Sequence, residues 1–335
     1  MSLPSAPRQS LSYAILGTGA IGGLYGACLQ RAGAAVHFLL YRDYEQVRQQ
    51  GLRVESIWGD FELLEVQAYA AVSEMPTVDV VIVALKTTQN YLLADLLPPL
   101  VGPQTVVLIL QNGLAVEATA AAIAGAERIL SGLCFVCSNK VGPGHIRHLD
   151  YGTIMLGHYS AAQQPAGLTG AVEAIAQDFK QAHLPIQLTE DLYMARWRKL
   201  VWNIPFNGLS VVLNATTQEM MADPDIRELA EGLMVEVIAA ANACGENLSP
   251  GQNRRLPDNL SQDMLEHTAQ MKPYRTSMKI DFDTGRPLEL VAIFANPIRA
   301  AATANISVPQ VKMLYQQLQF LNRRQRTTPR PDEVV

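Results

Sequence analysis

The glycine-rich segment at residues 17–22, with the pattern G-T-G-A-I-G, narrows the possible folds of this chain more than any other part of the sequence. It follows a short apolar run, residues 12–16, that is typical of a buried strand, and it precedes a helix predicted over residues 24–32. The first glycine of such a pattern allows a tight turn, the second lets the backbone approach a pyrophosphate, and the third lets helix and strand pack closely. Because the helix N-terminus also offers unpaired N–H donors to phosphates, the segment predicts a dinucleotide-binding Rossmann-type domain. The cofactor contacts are expected at Gly17, Gly19, Ala20, Ile21 and Gly22.

The predicted second strand, residues 36–41, ends where the adenosine ribose of a dinucleotide should lie. Arg42 follows directly, and a guanidinium suits a 2′-phosphate by its charge and its bidentate fork, so this position favours NADP(H) over NAD(H). Asp43 leaves an alternative open, because one residue of slippage would let its carboxylate accept a hydrogen bond from the 2′-hydroxyl of NAD. Asp43 also stands where the N-cap of a helix over residues 44–50 belongs.

Two further apolar runs, residues 78–85 and 105–110, are typical of buried parallel strands, and polar residues follow each of them. In open α/β sheets the ligand lies outside the carboxyl ends of the strands, so Lys86 and Asn112 are expected beside the cofactor. Asn112 is a candidate for holding the nicotinamide ribose or the substrate, and otherwise a turn residue before Gly113. Lys86 is a candidate contact with cofactor or substrate, and otherwise a solvated loop lysine.

The first domain is predicted to end near residue 190. Residues 129–157 are β-rich around a G-P-G turn, which suggests antiparallel strands that extend the parallel sheet. A helix over residues 171–182 and a last strand over residues 184–188 follow. The cofactor domain is therefore expected over residues 10–190, after a leader up to about residue 9 that is predicted to be disordered.

Composition excludes several classes of partner. A chain of 335 residues has room for about two domains, and its net charge of −5 without a basic stripe argues against nucleic acid. No apolar run reaches the roughly 18 residues of a membrane span, so we expect no membrane association and a cytoplasmic protein. The four cysteines are too few for a disulfide scaffold. Cys134 and Cys137, three apart in a strand, would point to opposite faces, so no metal site is expected.

From residue 191 the pattern becomes helical, which predicts an all-helical domain over residues 191–322 and a frayed polar tail over residues 323–335. Within that domain, Lys199, Asn203 and Asn207 are spaced i, i+4 and i+8, so they lie on one face of a helix. Because apolar and aromatic residues flank them, this polar face is predicted to be turned inward. Pro205 removes a backbone donor between the two asparagines and predicts a kink.

The array K-x-x-x-N-x-x-x-N, after an N-terminal G-x-G-x-x-G and a Q-N-G, resembles the ketopantoate reductase family (2-dehydropantoate 2-reductases). The resemblance covers residues 12–320 and includes segments at 142–146, 276–278 and 285–289. It implies an N-terminal Rossmann-type doubly wound sheet, a C-terminal all-helical domain and an active site in the cleft between them. It also implies an NADP-dependent oxidoreductase that reduces a small 2-keto acid, 2-dehydropantoate, to pantoate for pantothenate and coenzyme A biosynthesis. A homodimer is a candidate assembly.

The resemblance further implies roles for individual residues of the pattern. The family's lysine is the general acid for the ketone, which implies that role for Lys199, and an ammonium does protonate a developing alkoxide well. The family's serine and glutamate bind substrate or orient the lysine, and its asparagines hold substrate. These roles fall on Ser277 and Glu289, on Asn203, Asn207 and Asn112, and, for the 2′-phosphate of NADP, on Arg42.

The chain departs from the family pattern near the substrate rather than the cofactor. Val291 and Ala295 stand where an acidic residue and a glycine are common, and Arg275 and Thr276 replace a pair of small residues. Two alternatives therefore stay open: a related 2- or 3-hydroxyacid dehydrogenase with a different substrate, and a non-catalytic NADP-binding sensor. A sensor needs no general acid, so Lys199 together with Glu289 argues against it.

Overall fold

The structure is a computed structural model that describes residues 10–327, and these residues group into two units. The first unit comprises residues up to 111, together with 117–161 and 165–192. The second unit consists mainly of the residues from Tyr193 onward, and it also includes two short earlier segments, Asn112–Val116 and Ala162–Gln164. A single boundary near residue 190 does not describe this grouping, because both short segments make their contacts with later parts of the chain.

The first unit is built on one mixed sheet of ten strands. In chain order they are β1 (Tyr13–Leu16), β2 (Val36–Leu39), β3 (Leu52–Ser56), β4 (Phe61–Leu63), β5 (Gln67–Tyr69), β6 (Val80–Val83), β7 (Val106–Ile109), β8 (Ile129–Gly142), β9 (His145–His158) and β10 (Ile186–Leu188). Their order across the sheet is β4-β3-β9-β8-β7-β6-β1-β2-β5, and β10 pairs with β9.

The parallel centre of the sheet explains the apolar runs of the sequence. Strands β1 and β6 are buried at every position, as strands covered on both faces must be. In the parallel register Leu16 lies opposite both Leu39 and Val83, so the carboxyl ends of β1, β2 and β6 meet at one edge. The glycine segment, Arg42 and Lys86 follow these ends.

The predicted antiparallel extension is present as a long hairpin. Strand β8 pairs in parallel with β7, and β9 then returns antiparallel to β8 along most of its length. Residues 143–144 form the turn between them, and β3 pairs with the first part of β9. This hairpin brings Lys140, near the turn, back toward the glycine segment.

Five α-helices accompany the sheet in the first unit. They are α1 (Ala20–Arg31), α2 (Tyr44–Gln50), α3 (Leu93–Leu96), α4 (Ala118–Ala124) and α5 (Gly170–Gln181). Helix α1 begins four residues earlier than predicted, because Gly19 is its N-cap and the last three residues of the glycine pattern already belong to the helix.

The second unit is helical, as predicted. Its helices are α6 (Leu192–Val212), α7 (Thr217–Ala222), α8 (Pro224–Leu248), α9 (Leu260–Gln270), α10 (Ser277–Asp283), α11 (Asn296–Thr303) and α12 (Pro309–Thr327), with a π-helical turn at Val291–Ala295. A core of leucine, methionine and aromatic side chains from α6, α8 and α12 fills this unit. Helix α6 continues through Pro205 for two further turns.

The prediction of a frayed tail from residue 323 was wrong for its first residues. Helix α12 runs through Thr327, since glutamine, leucine and arginine are good helix formers and the first proline after Pro309 comes only at residue 329. The rest of the predicted tail, residues 328–335, and the predicted leader, residues 1–9, lie outside the described residues.

No helix within residues 10–327 is both long enough and apolar enough to cross a membrane. Nor does this part of the chain gather three or more histidine, cysteine or acidic side chains in a way that could hold a metal ion. Cys134 and Cys137 are both buried thiols of β8.

Candidate active site

The glycine segment of the first unit has the geometry that a dinucleotide requires. Gly17 has φ of +99°, and a Cβ there would lie 2.6 Å from the backbone nitrogen of Leu85, so only glycine fits. A Cβ on Gly22 would collide with the Gly17 carbonyl oxygen, which keeps helix and strand in close contact. A Cβ on Gly19, in contrast, would meet nothing within 4 Å. The backbone is therefore open to a ligand at the second glycine.

The N-terminus of α1 lies directly after this opening. Gly19 is its N-cap and supplies no side-chain cap, and the first turn carries no acidic residue. The N–H groups of Ala20 and Ile21 are therefore among the helix donors that phosphate oxygens can accept from, with the positive end of the helix dipole behind them. These residues fit a dinucleotide pyrophosphate.

The end of β2 separates the roles of Arg42 and Asp43. Arg42 is exposed, whereas Asp43 is only 6% exposed. Asp43 occupies the N-cap position of α2, but its carboxylate makes no capping hydrogen bond. It accepts instead from the backbone N–H of Gly144, at 3.1 Å, and forms an ion pair with Lys140, at 2.5 Å. Asp43 therefore stands at the predicted N-cap position, but its side chain pairs with Gly144 and Lys140 instead of capping α2.

The loop after β6 is held in place from β7. The side-chain amide of Gln111 donates to the carbonyl oxygen of Leu85, at 2.8 Å, and to Oδ1 of Asn90, at 2.6 Å. Lys86, between them, is half-buried and precedes a 3₁₀ turn at Thr87–Leu92. Gln111 thereby holds the backbone just before Lys86 and the side chain of Asn90 just after it, a role that its position in the Q-N-G pattern did not reveal.

The polar face of α6 is buried in the second unit, as its apolar flanks predicted. Lys199, Asn203 and Asn207 are 8%, 6% and 2% exposed. The ammonium of Lys199 donates a hydrogen bond to Oδ1 of Asn112, at 2.7 Å. These two residues are 87 positions apart in the sequence, and their contact places a neutral acceptor against a buried cation.

Asn112 reaches Lys199 because its segment, Asn112–Val116, is fixed to the helical unit at several points. Arg196, one turn before Lys199, donates from its guanidinium to the carbonyl oxygen of Gly113, at 2.8 Å. The N–H of Leu114 donates to the carbonyl oxygen of Ala292, at 2.8 Å. Gly113 has φ of +111°, and a Cβ there would lie 2.5 Å from that of Ala292, so the approach depends on glycine.

Ser277 is tied to α6 through two hydroxyl groups. Ser210 donates from Oγ to the carbonyl oxygen of Asn207, at 3.0 Å, and lies 2.8 Å from Oγ1 of Thr276. Thr276 is the N-cap of α10 and accepts from the N–H of Lys279, at 3.2 Å. Ser277 is the first residue of that helix and is half-buried. The threonine that departs from the family pattern therefore connects Ser277 to the helix that carries Asn207.

Glu289 is buried and lies two residues before the π-helical turn at Val291–Ala295. Such turns occur frequently at functional sites, where they redirect side chains within a helix. The same turn carries Ala292, which receives the hydrogen bond from Leu114. The two other departures from the family pattern fall here as well: Val291 is exposed and Ala295 is buried.

The predicted residues thus fall into two chemically distinct groups. The first unit carries the glycine segment, Arg42 and Lys86, which suit phosphates. The second unit carries a buried ammonium with neutral amide and hydroxyl groups, which suit a carbonyl oxygen and a carboxylate. Arg196, Ser210 and Thr276 support the second group and were missed, because their contacts join positions far apart in the chain.

Comparison with known proteins gives a family match over both units. The family model described as "Ketopantoate reductase PanE/ApbA" matches residues 13–161, and "Ketopantoate reductase PanE/ApbA C terminal" matches residues 191–322. A protein from Nostoc sp. named 2-dehydropantoate 2-reductase is 56% identical over 315 residues, which is 94% of this chain and 96% of that protein.

Solved structures show the same likeness. The crystal structure of 2-dehydropantoate 2-reductase from Geobacter metallireducens GS-15 matches with a TM-score of 0.87 and 45% identity, covering 92% of this chain and 99% of that one. A ternary structure of D-mandelate dehydrogenase with NADH and anilino(oxo)acetate matches with a TM-score of 0.81 over 94% of this chain and 100% of that one. At 19% identity, this second match shows a shared fold alone.

Proposed function

Because this chain belongs to the ketopantoate reductase family, we propose that it catalyses the NADPH-dependent reduction of 2-dehydropantoate to pantoate. As a member of that family it is an oxidoreductase that acts on a CH–OH group. The reaction would be a step of pantothenate and coenzyme A biosynthesis. The observation that carries the proposal is the buried Lys199 ammonium, which donates a hydrogen bond to Asn112. Lys199 lies on a face of α6 that also carries Asn203 and Asn207.

Lys199 would be the proton donor. When bound, the nicotinamide supplies the hydride that reduces the keto carbon, and the carbonyl oxygen then needs a proton. The Lys199 ammonium would deliver that proton from Nζ and become a neutral amine, to be reprotonated from solvent before the next turnover. Asn112 would act as a positioning residue, because its Oδ1 accepts one N–H of the ammonium and so fixes the direction of Nζ.

The remaining polar groups of the second unit would hold the substrate. The amides of Asn203 and Asn207 are neutral donors, and a carboxylate can accept from them without cancelling the charge of Lys199. Ser277 would bind a substrate hydroxyl from the first turn of α10. Glu289, buried before the π-helical turn, would bind the substrate hydroxyl or orient Lys199.

The first unit would hold the cofactor. Gly17, Gly19, Ala20, Ile21 and Gly22 would bind the pyrophosphate, since the backbone is open at the second glycine and α1 presents its N-terminus there. Arg42, exposed at the end of β2, would pair with the 2′-phosphate of NADPH. Lys86, at the end of β6, would be a further contact with the cofactor or substrate.

The direct test follows the loss of nicotinamide absorbance with 2-dehydropantoate, in parallel reactions with NADPH and NADH. The proposal expects rapid oxidation of NADPH and much slower oxidation of NADH. If NADPH binds but is not consumed, the proposed substrate is wrong. A panel of other 2-keto acids then distinguishes a related dehydrogenase, which would oxidise NADPH with one of them, from a sensor, which would oxidise it with none.

A further inference from the structure

Lys140 belongs to a polar cluster beside the glycine segment. The proposed reaction gives this cluster no role. Its ammonium is 2.5 Å from the carboxylate of Asp43 and donates to the carbonyl oxygen of Thr18, at 3.1 Å. Thr18 stands between the first two glycines, and its hydroxyl donates to the carbonyl oxygen of Leu39, the last residue of β2, at 2.9 Å. The cluster therefore joins the glycine segment to the strand end that carries Arg42.

The ion pair determines where the Asp43 carboxylate points. Asp43 is almost fully buried, and its Oδ2 atom already accepts from Lys140 and from the N–H of Gly144. A buried carboxylate requires such compensation, because removing its partner leaves an isolated charge in a poorly solvated place. Lys140 supplies the positive charge and Gly144 a second hydrogen bond, and together they direct the carboxylate toward the β8–β9 turn.

The charge balance at this strand end bears on the choice of dinucleotide. A carboxylate next to Arg42 would repel the 2′-phosphate of NADPH, and it would be an acceptor for the 2′-hydroxyl of NADH. The Lys140 side chain is 29% exposed, so its ammonium keeps some solvent while it offsets the charge of the Asp43 carboxylate. Neutralising the charge of the Asp43 carboxylate and fixing its direction therefore both favour NADPH over NADH.

We propose that Lys140 is a specificity-determining positioning residue, which selects NADPH by pairing with Asp43 beside the glycine segment. This inference rests on the proposed use of NADPH. Lys140 acts through Asp43 rather than by contact with the phosphate. Removing Lys140 should therefore harm NADPH binding chiefly through the carboxylate that it leaves uncompensated, and removing that carboxylate as well should reverse the harm.

The test measures dissociation constants for NADPH and NADH by fluorescence titration of the full chain, without substrate. For Lys140→Met we expect NADPH binding to weaken about tenfold or more and NADH binding to change by less than about threefold. Adding Asp43→Asn to that variant should return NADPH binding to within about threefold of the wild type. Lys140→Arg should keep the preference, and Lys180→Met, at an exposed lysine of the same unit, should bind as the wild type does.

Three different results would overturn the inference, each for a different reason. If the wild type itself binds NADH more tightly than NADPH, the proposed cofactor is wrong and the inference falls with it. If the wild type prefers NADPH and Lys140→Met keeps that preference, including an equal loss for both cofactors, Lys140 has only a structural role. If the double variant is no better than Lys140→Met, Lys140 acts on the phosphate directly and not through Asp43. Should Lys140→Met fold poorly, Lys140→Gln gives the same comparison.

Discussion

The Lys199 ammonium is nearly buried and donates a hydrogen bond to a neutral amide oxygen. A buried ammonium is costly unless it is hydrogen-bonded, and Oδ1 of Asn112 provides that bond without adding a negative charge. A carboxylate in the same place would stabilise the protonated lysine and make it a weaker acid. The amide therefore suits the proposed reaction, in which Lys199 gives up its proton in each turnover.

Lys199→Ala should lower turnover about a hundredfold or more, because the carbonyl oxygen loses its proton donor. Affinity for NADPH should stay near that of the wild type, since the proposed cofactor residues belong to the other unit. Steady-state kinetics with 2-dehydropantoate and a separate NADPH titration measure the two effects. Lys312→Ala, at an exposed lysine of α12, is the matched control. Unchanged turnover in Lys199→Ala would contradict the role of Lys199 as general acid.

We expect His148 to make the stability of the first unit depend on pH. Burial lowers the pKa of His148 below its ordinary value, although hydrogen bonds to the carbonyl oxygens of Asp150 and Tyr151 oppose this in part. Below a pH of about 6.5 the unfolded chain takes up a proton that the folded imidazole resists. Stability should therefore fall as the pH drops below that value, until the lower pKa of the folded state is reached.

Urea unfolding followed at about pH 8 and about pH 5 tests this dependence. The loss of stability at the lower pH should be smaller in His148→Gln than in the wild type, because the group that resists protonation is gone. His183→Asn, at an exposed position with φ of +57° that asparagine tolerates, should keep the full dependence. An equal loss in His148→Gln and the wild type would exclude His148 as the source.

At the scale of elements, two hydroxyl groups join α6 to α10. Thr276 is fully buried, caps α10 and is hydrogen-bonded to the hydroxyl of Ser210. The Ser210 hydroxyl also donates to the carbonyl oxygen of Asn207, the last asparagine of the polar face. The helix that begins with Ser277 is thus placed relative to Asn207 by hydrogen bonds as well as by apolar packing. A change at this junction should disturb substrate binding before it disturbs the cofactor.

Thr276→Val keeps the shape of the side chain and removes its hydroxyl. We expect a loss of about 1–3 kcal/mol in the free energy of unfolding, because the cap of α10 and the partner of Ser210 are both lost. The KM for the keto acid should rise while NADPH affinity is unchanged. Thr276→Ser keeps the hydroxyl and serves as the control; if it loses as much as Thr276→Val, the hydroxyl does not explain the effect.

Local patterns predicted much of this fold, and distant contacts account for what they missed. The glycine segment, the position of Arg42 and the polar face of α6 depend on spacing within one or two elements, which a sequence displays directly. The contact between Lys199 and Asn112 spans 87 positions, and that between Ser210 and Thr276 spans 66. No period or spacing reveals which residues such contacts join. The π-helical turn after Glu289 was missed because its residues do not differ from those of an ordinary helix.

At the scale of the whole molecule, the cofactor should stabilise the fold by mass action. NADPH that binds only the folded chain adds about 2.7 kcal/mol at a concentration one hundred times its Kd. The proposed 2′-phosphate contact makes this gain sensitive to Arg42. In Arg42→Ala, at equal concentrations, the increase in Tm caused by NADPH should shrink much more than that caused by NADH. Equal reductions for both cofactors, measured by thermal unfolding, would contradict the role of Arg42 in selecting the phosphate.

The small segment Asn112–Val116 has a consequence for how this protein can be recombined. It follows β7 in the chain, yet it is hydrogen-bonded to Arg196 and Lys199 of α6 and to Ala292 in the turn after Glu289. A chimera joined near residue 190 would inherit Lys199 from one parent and its amide partner from the other. A chimera of two relatives would keep Lys199 and Asn112 from the same parent only if both stretches of the gene came from that parent. The proposed proton donor and the amide that positions it are therefore inherited through two separate stretches of the gene.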